Sequence, residues 1–246
     1  MRIRVINPNT TEAMTKAIEA VAHSAAWTGT SITTVNPAMG PVSIESHYDE
    51  ALSVPGVLAE IRRAESEGAE GYVLACFGDP GLDAARELAA GPVVGIAEAA
   101  MHMASHLGRG FSVVTTLERT AGRARDLAER YGMSRFCQGV HGCDIAVLDL
   151  ETNPKTKDIL IEHCQRAARD DGSDVIVLGC AGMAGLCRDI SSEIGLPVID
   201  GVAAAVNLVQ SLVSMGLRKS GRGEFATPPI KPYAGLTDSF GSISAG

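Results

Sequence analysis

Asp174-Val-Ile-Val-Leu-Gly-Cys180-Ala-Gly-Met-Ala-Gly185 decides how this chain is read. Four apolar residues in succession, two of them Val and one Ile, mark a short strand buried on both faces, as in a parallel sheet. A cysteine ends the run, glycines come after it, and a helical pattern begins. The same frame occurs earlier as Gly71-Tyr-Val-Leu-Ala-Cys76-Phe-Gly-Asp-Pro-Gly81. A thiol at a strand end that faces a helix N-terminus meets free backbone N–H groups and the positive end of the helix dipole. Both favour thiolate over thiol, so each cysteine is expected below the usual thiol value of about 8.5.

Outward from these two frames, apolar β-type runs alternate with helical patterns. Strands are expected over 2–7, 31–36, 71–76, 92–95, 111–115, 145–148, 174–180 and 197–199. Helices are expected over 11–26, 48–67, 82–90, 97–107, 119–131, 155–169, 183–193 and 203–215. Thr10 and Thr11 are placed to cap the first helix and Asp79-Pro80 to cap the third. Repeated βα units give an α/β fold with parallel sheets covered by helices.

The pattern also repeats. Gly68 and Cys76 recur as Gly172 and Cys180 at one spacing, Pro92-Val-Val-Gly recurs as Pro197-Val-Ile-Asp, and Arg4-Val-Ile-Asn-Pro as Ser112-Val-Val-Thr-Thr. The anchors keep their order, which predicts two similar halves, roughly 1–107 and 108–216. Approximate two-fold symmetry would set the ends of equivalent strands, and both cysteines, across one cleft. Ligands of open α/β sheets bind at those carboxyl ends.

Composition bounds the function. The chain has 246 residues, 46% of them apolar, and a net charge of −8 with scattered basic residues, which excludes a nucleic-acid footprint. No apolar run approaches the roughly 18 residues of a membrane span. The opening Met1-Arg-Ile-Arg-Val-Ile-Asn has charges within a strand pattern rather than a secretory signal, so a cytoplasmic location is expected. Six cysteines in a chain of this length are expected as thiols.

Other constellations are weaker. Cys137-x-x-x-His141-x-Cys143 lacks a fourth ligand at zinc spacing, and His102 and His106 lack the Glu of a zinc-protease helix, so no metal is expected. Cys187 is expected in the core. Ser43, His47 and Asp49 stand too close in sequence for a catalytic triad. Neither a Walker loop nor a dinucleotide fingerprint stands after the first strand, so no nucleotide cofactor is expected. Asn7-Pro-Asn9-Thr-Thr11 and Thr115-Thr116 succeed equivalent strands and are expected to line the cleft, Asn9 also serving as a cap. The segment 40–49 is expected to form a lid.

With both cysteine frames, Val5-Ile-Asn-Pro-Asn-Thr, Ser43-Ile-Glu, Gly95-Ile-Ala-Glu-Ala-Ala, Ser112-Val-Val-Thr-Thr-Leu and Pro197-Val-Ile-Asp-Gly-Val in place, the chain resembles the aspartate/glutamate/hydantoin racemase superfamily. Within it, the chain is most similar to hydantoin and allantoin racemases. The resemblance covers residues 2 to about 216. It implies two pseudo-symmetric flavodoxin-like halves with the active site in the cleft between them: 1–95 with 203–235, then 96–202, with 236–246 a disordered tail. It implies cofactor-independent acid/base catalysis by Cys76 and Cys180. Ligand contacts would fall on Asn9, Ser43, Ile44, Phe77, Gly78, Thr115, Thr116, Ala181 and Gly182. It further implies a homo-oligomer, tetramer or hexamer. Amino-acid racemases of the superfamily carry Cys-Asn-Thr and Gly-Cys-Thr-His after their thiols. Cys76-Phe77-Gly78 and Cys180-Ala181-Gly182 depart from that pattern and suit a neutral cyclic ureide. A racemase of 5-substituted hydantoins is the expectation, with an allantoin racemase as the alternative and a non-catalytic ureide-binding protein as the alternative of another class. A related decarboxylase would need only one thiol, and a redox dithiol would need both within bonding reach.

Overall fold

The computed structural model describes residues 1–241. Two four-stranded parallel sheets carry the chain. The first contains β1 (Arg2–Ile6), β2 (Ser31–Val35), β3 (Gly71–Leu74) and β4 (Val93–Gly95) in the order β2-β1-β3-β4. The second contains β5 (Phe111–Thr115), β6 (Cys137–Gly142), β7 (Val175–Leu178) and β8 (Val198–Ile199) in the order β6-β5-β7-β8. The two orders are the same path traced twice, the flavodoxin-like arrangement in which the connection reverses direction beside the first strand of each half. In register, Ile3 pairs with Ile32 and Gly71, as Ser112 pairs with Gly139 and Ile176.

Strand chemistry reflects position in the sheet. Every residue of β3 and of β7 is buried, which is why both read as unbroken apolar runs. The edge strand β6 reads Cys-Gln-Gly-Val-His-Gly and is only partly buried. It replaces the strand expected over 145–148. Ile145 and Val147 are buried, but they sit in coil and a 3-10 turn (Val147–Asp149), Ile145 in the core of the second half and Val147 against Glu45 of the lid segment. Apolar residues buried from a loop and from a strand look alike in sequence.

The helices are α1 (Glu12–Ser24), α2 (His47–Ser66), α3 (Leu82–Leu88), α4 (Ile96–Ala104), α5 (Ala121–Arg130), α6 (Thr156–Asp171), α7 (Cys187–Ile194) and α8 (Gly201–Ser214). The helix expected from 183 begins later, because Ala181–Leu186 form a 3-10 turn. α8 returns from the end of the second half to the first, where Val209 and Val213 close on Gly71 of β3 so tightly that a side chain there would overlap them. One large core, from Ile3 and Val5 through Ala100 and Met101 to Val113 and Val177, runs between the sheets.

Two caps differ from expectation. Thr11 makes no side-chain cap to α1; its hydroxyl donates to the Val42 carbonyl at 2.6 Å, and the Thr10 N–H donates to Pro41 at 3.0 Å. Asp79 does not cap α3. Its carboxylate accepts from the N–H groups of Ala97 (3.1 Å) and Glu98 (3.0 Å) and caps α4. Gly95 makes that approach possible, since a Cβ there would overlap the Asp79 carboxyl. Beyond α8, Gly235–Phe240 form a 3-10 turn within the tail expected to be disordered, with Phe240 under the Arg62 guanidinium, while 242–246 lie outside the described residues. No helix among the described residues is long and apolar enough to cross a membrane.

Candidate active site

The loops that leave β1 and β3 at the reversal point of the first sheet face those that leave β5 and β7 in the second. Between them lies a cavity of about 100 Å³. Cys76, just beyond the end of β3, lines it from one half; Cys180, just beyond the end of β7, lines it from the other. Both thiols are unpaired and half-buried. Of the other expected contacts, Asn9, Ile44, Phe77, Gly78, Thr115, Thr116 and Ala181 also lie on the wall. Ser43 and Gly182 do not, although the Gly182 N–H still serves the site through the Cys180 sulfur.

Each sulfur receives one backbone N–H from two residues on, Gly78 for Cys76 and Gly182 for Cys180. Those bonds favour thiolate, as expected from the sequence. Burial outweighs them: it pushes Cys76 up to about 12 and Cys180 up to about 11. The expectation of lowered values therefore fails, and the local backbone explains why. α3 begins only at Leu82, and Cys180 leads into a six-residue 3-10 turn, so neither thiol sits on the first turn of an α-helix. The charge of Cys180 raises Cys76 further, and Glu45 and Cys143 do the same for Cys180.

The hydroxyls divide their work. Thr115 donates to the Gly179 carbonyl at 3.1 Å and ties the ends of β5 and β7 together. Thr116 is buried on the wall with no hydrogen bond from its hydroxyl among the described residues, which leaves it free for a ligand. Asn9 both braces and lines the site. Its side-chain oxygen accepts from Thr11 N–H and Asn7 Nδ2, each at 2.9 Å, while its Nδ2 meets only the Met14 sulfur at 3.1 Å.

The sequence reading missed several groups on the wall, chiefly Glu45, His47, Arg119, Arg123 and Val147. Glu45 and Val147 come from different halves: the Val147 N–H donates to Glu45 Oε1 at 2.7 Å, and so fastens segment 40–49 over the cavity. Arg123 of α5 donates to the Gly78 carbonyl at 2.8 Å and pairs with Glu50 of α2. A charge of each sign, one on each side of the cleft, was the signal available in sequence. Neither pairing has a spacing that reveals it.

Of the groups set aside in sequence, His47 reaches the cavity wall but Ser43 and Asp49 do not join it there, and the others stay outside. Ser46 rather than Ser43 bonds Asp49, with its hydroxyl donating at 2.7 Å, and caps α2 by accepting from the Asp49 N–H. His141 lies 2.6 Å from the Asp171 carboxylate, and His102 Nδ1 lies 2.8 Å from the Glu98 carbonyl. Among the described residues no cluster of side chains could hold a metal ion. Cys187 is half-buried, its thiol against the Val198 carbonyl.

Residues 3–209 match the family model described as Asp/Glu/hydantoin racemase. A hydantoin racemase of Pseudomonas sp. (strain NS671) is 47% identical over 98% of this chain and 97% of its own length. The structure of an allantoin racemase from Klebsiella pneumoniae is 51% identical, covers 97% of this chain and 98% of its own, and superposes with a TM-score of 0.95. An allantoin racemase structure from Pseudomonas fluorescens is 38% identical, with a TM-score of 0.92 over 96% of this chain and 100% of its own.

Proposed function

Because the chain belongs to the Asp/Glu/hydantoin racemase family, we propose that it inverts the C5 stereocentre of 5-substituted hydantoins, without a cofactor, through Cys76 and Cys180. One observation carries the reading: two unpaired sulfurs, one from each pseudo-symmetric half, open on a single cavity, each with a backbone N–H beside it.

In a hydantoin the C5–H stands between a ring carbonyl and a ring nitrogen, so its removal gives an enolate delocalised onto the carbonyl oxygen. One sulfur, as thiolate, takes that proton. The other, as thiol, delivers a proton to the opposite face, and the roles exchange for the mirror image. The Thr116 hydroxyl is an unoccupied donor on the wall suited to the enolate oxygen, and a well-placed donor of this kind typically stabilises a transition state by ~3 kcal/mol. Burial makes each thiolate a strong base once formed, at the expense of its population near neutrality. The departures from amino-acid racemases, Phe77-Gly78 and Ala181-Gly182, put no carboxylate-binding side chain at the two positions after each thiol, which supports a neutral ureide.

A second reading names allantoin, the hydantoin with a 5-ureido group, as the substrate in the cell; the 51% identity to the K. pneumoniae allantoin racemase favours it. Polarimetry on (S)-allantoin, 5-benzylhydantoin and 5-isobutylhydantoin side by side separates the two. Cys76→Ser and Cys180→Ser should each abolish racemisation, while one of them still exchanges the C5–H of one enantiomer with deuterium. Racemisation by either variant at the wild-type rate rejects the two-thiol scheme. Binding of a hydantoin with no inversion by the wild type would instead mark a ureide-binding protein. We further propose a cytoplasmic homo-oligomer, tetramer or hexamer. Six unpaired thiols support a reducing compartment, and light scattering measures the assembly.

A further inference from the structure

Glu45 is the one carboxylate among the described residues that line the cavity. It stands on the segment that covers the site, and its position is fixed from two directions. Its own N–H donates to Asp49 Oδ2 at 3.1 Å, and its Oε1 accepts the Val147 N–H of the other half at 2.7 Å. Its second oxygen, Oε2, carries no hydrogen bond among the described residues. The carboxylate also lies close enough to the Cys180 thiol for its charge to act there. A pure latch would need one oxygen; here a lining carboxylate keeps a second, acceptor-only oxygen without a partner among the described residues.

A cyclic ureide presents N–H donors as well as carbonyl acceptors. Removed from water into a cavity, each donor needs an acceptor or weakens binding. The hydroxyls of the wall are neutral and weaker acceptors than a carboxylate oxygen. Asn9 has its oxygen occupied twice, and arginine side chains only donate. We propose that Glu45 is a specificity-determining residue whose free Oε2 accepts a ring N–H of the bound ureide, while Oε1 keeps the cover closed through Val147. The inference rests on the functional reading above and deepens it. The same charge faces any substrate that carries its own carboxylate, so the residue selects for neutral ureides and against amino acids by repulsion.

Glu45→Gln separates the two oxygens. The amide keeps an oxygen for the Val147 N–H and replaces the second acceptor by a donor. The matched change on the substrate is methylation of the ring nitrogens, giving the N1-methyl and N3-methyl derivatives of 5-isobutylhydantoin. Methylating the bonded nitrogen should lower wild-type kcat/KM by about 10- to 100-fold, the range for a hydrogen bond to a charged group. Glu45→Gln should lower kcat/KM on the parent hydantoin by a similar factor, and methylation should then cost that variant little more. Equal methylation losses in wild type and Glu45→Gln would overturn the proposal. So would a Glu45→Gln enzyme with wild-type kcat/KM beside a crippled Glu45→Ala, which would make Glu45 a latch alone. A wild-type protein inactive on the parent hydantoin would overturn the functional reading itself, whereas activity without the coupling overturns only the role of Glu45.

Discussion

Arg123, on α5 of the second half, donates to the carbonyl of Gly78 in the first half at 2.8 Å. The same guanidinium pairs with Glu50 in the first turn of α2, so one side chain holds both the loop of Cys76 and the helix next to the cover. Fixing the Gly78 carbonyl helps fix the residue whose N–H serves the Cys76 sulfur. Lysine at this position keeps the charge but not the fork. Arg123→Lys should lower kcat/KM by about 10- to 100-fold, as expected for a misplaced reacting group. Mirror-image substrates have equal free energies, so kcat/KM must fall equally in both directions, while kcat and KM taken singly need not. Progress curves from each pure enantiomer check this, and an unchanged kcat/KM would show the clamp to be dispensable.

Thiols pushed up by burial put the acid limb of the free enzyme's pH profile high. With Cys180 at about 11 and Cys76 at about 12, the thiolate population grows about tenfold per pH unit through neutrality and beyond. kcat/KM, which reports the free enzyme, should rise with pH well past 8 rather than level off near it. Alkylation by iodoacetamide, mapped to each peptide by mass spectrometry, should rise in step. The two sulfurs interact, so the fitted values belong to the pair. A plateau below about 8 would contradict the desolvation described for this cavity.

Asp79 titrates in the opposite sense to most structural carboxylates. It is only 4% exposed, and burial pushes it up to about 6 from an ordinary 3.8, against the pull of its three donors, Tyr131 OH, Ala97 N–H and Glu98 N–H. The folded protein therefore binds this proton more tightly than the unfolded chain does. The group's contribution to stability is full below its unfolded value and is lost as pH rises through about 6. The whole effect is roughly 3 kcal/mol at most. Relative to Asp79→Asn, the wild type should gain stability as pH falls from 7 to about 4, measured by urea denaturation. A constant difference over that range would show that the carboxyl is not desolvated.

Asn9 should separate scaffolding from binding. Asn9→Asp keeps the oxygen that accepts from Thr11 and Asn7 and gives up only the Nδ2 donor on the cavity wall. Its Tm should stay close to wild type while KM rises. Asn9→Ala removes the brace as well, at a cost of about 1–2 kcal/mol in stability. Identical Tm values for the two variants would show that the brace carries no weight.

The parts of the fold legible in sequence were those set by local rules. Unbroken apolar runs at 71–74 and 175–178 could only be buried strands, and the shared order of anchors carried the duplication. The cysteine frames brought both thiols to one wall for the same reason. What stayed hidden depends on tertiary partners. β6 escapes an apolar reading because an edge strand needs little apolar surface, and 145–148 imitates a strand because Ile145 is buried in the core of the second half and Val147 against the cavity. Asp79 looked like the cap of the nearest helix, but its positive φ of 45° turns it towards α4. Thiol acidity was misjudged because the sequence shows the neighbouring N–H groups and not the depth at which they lie. Glu45 and Arg123 act on residues from the opposite half, at separations no local pattern encodes.

The return of α8 imposes an order on biogenesis. Val209 and Val213, which close over Gly71, leave the ribosome after the whole second half has been made. Until then the N-terminal sheet waits with that flank uncovered, a sticky intermediate of the kind chaperones attend. A chain cut short after Asp200 would retain β1 to β8 and both thiols yet lack the helix that seals the first half. Nonsense mutations late in the gene should therefore yield aggregates rather than a slower enzyme.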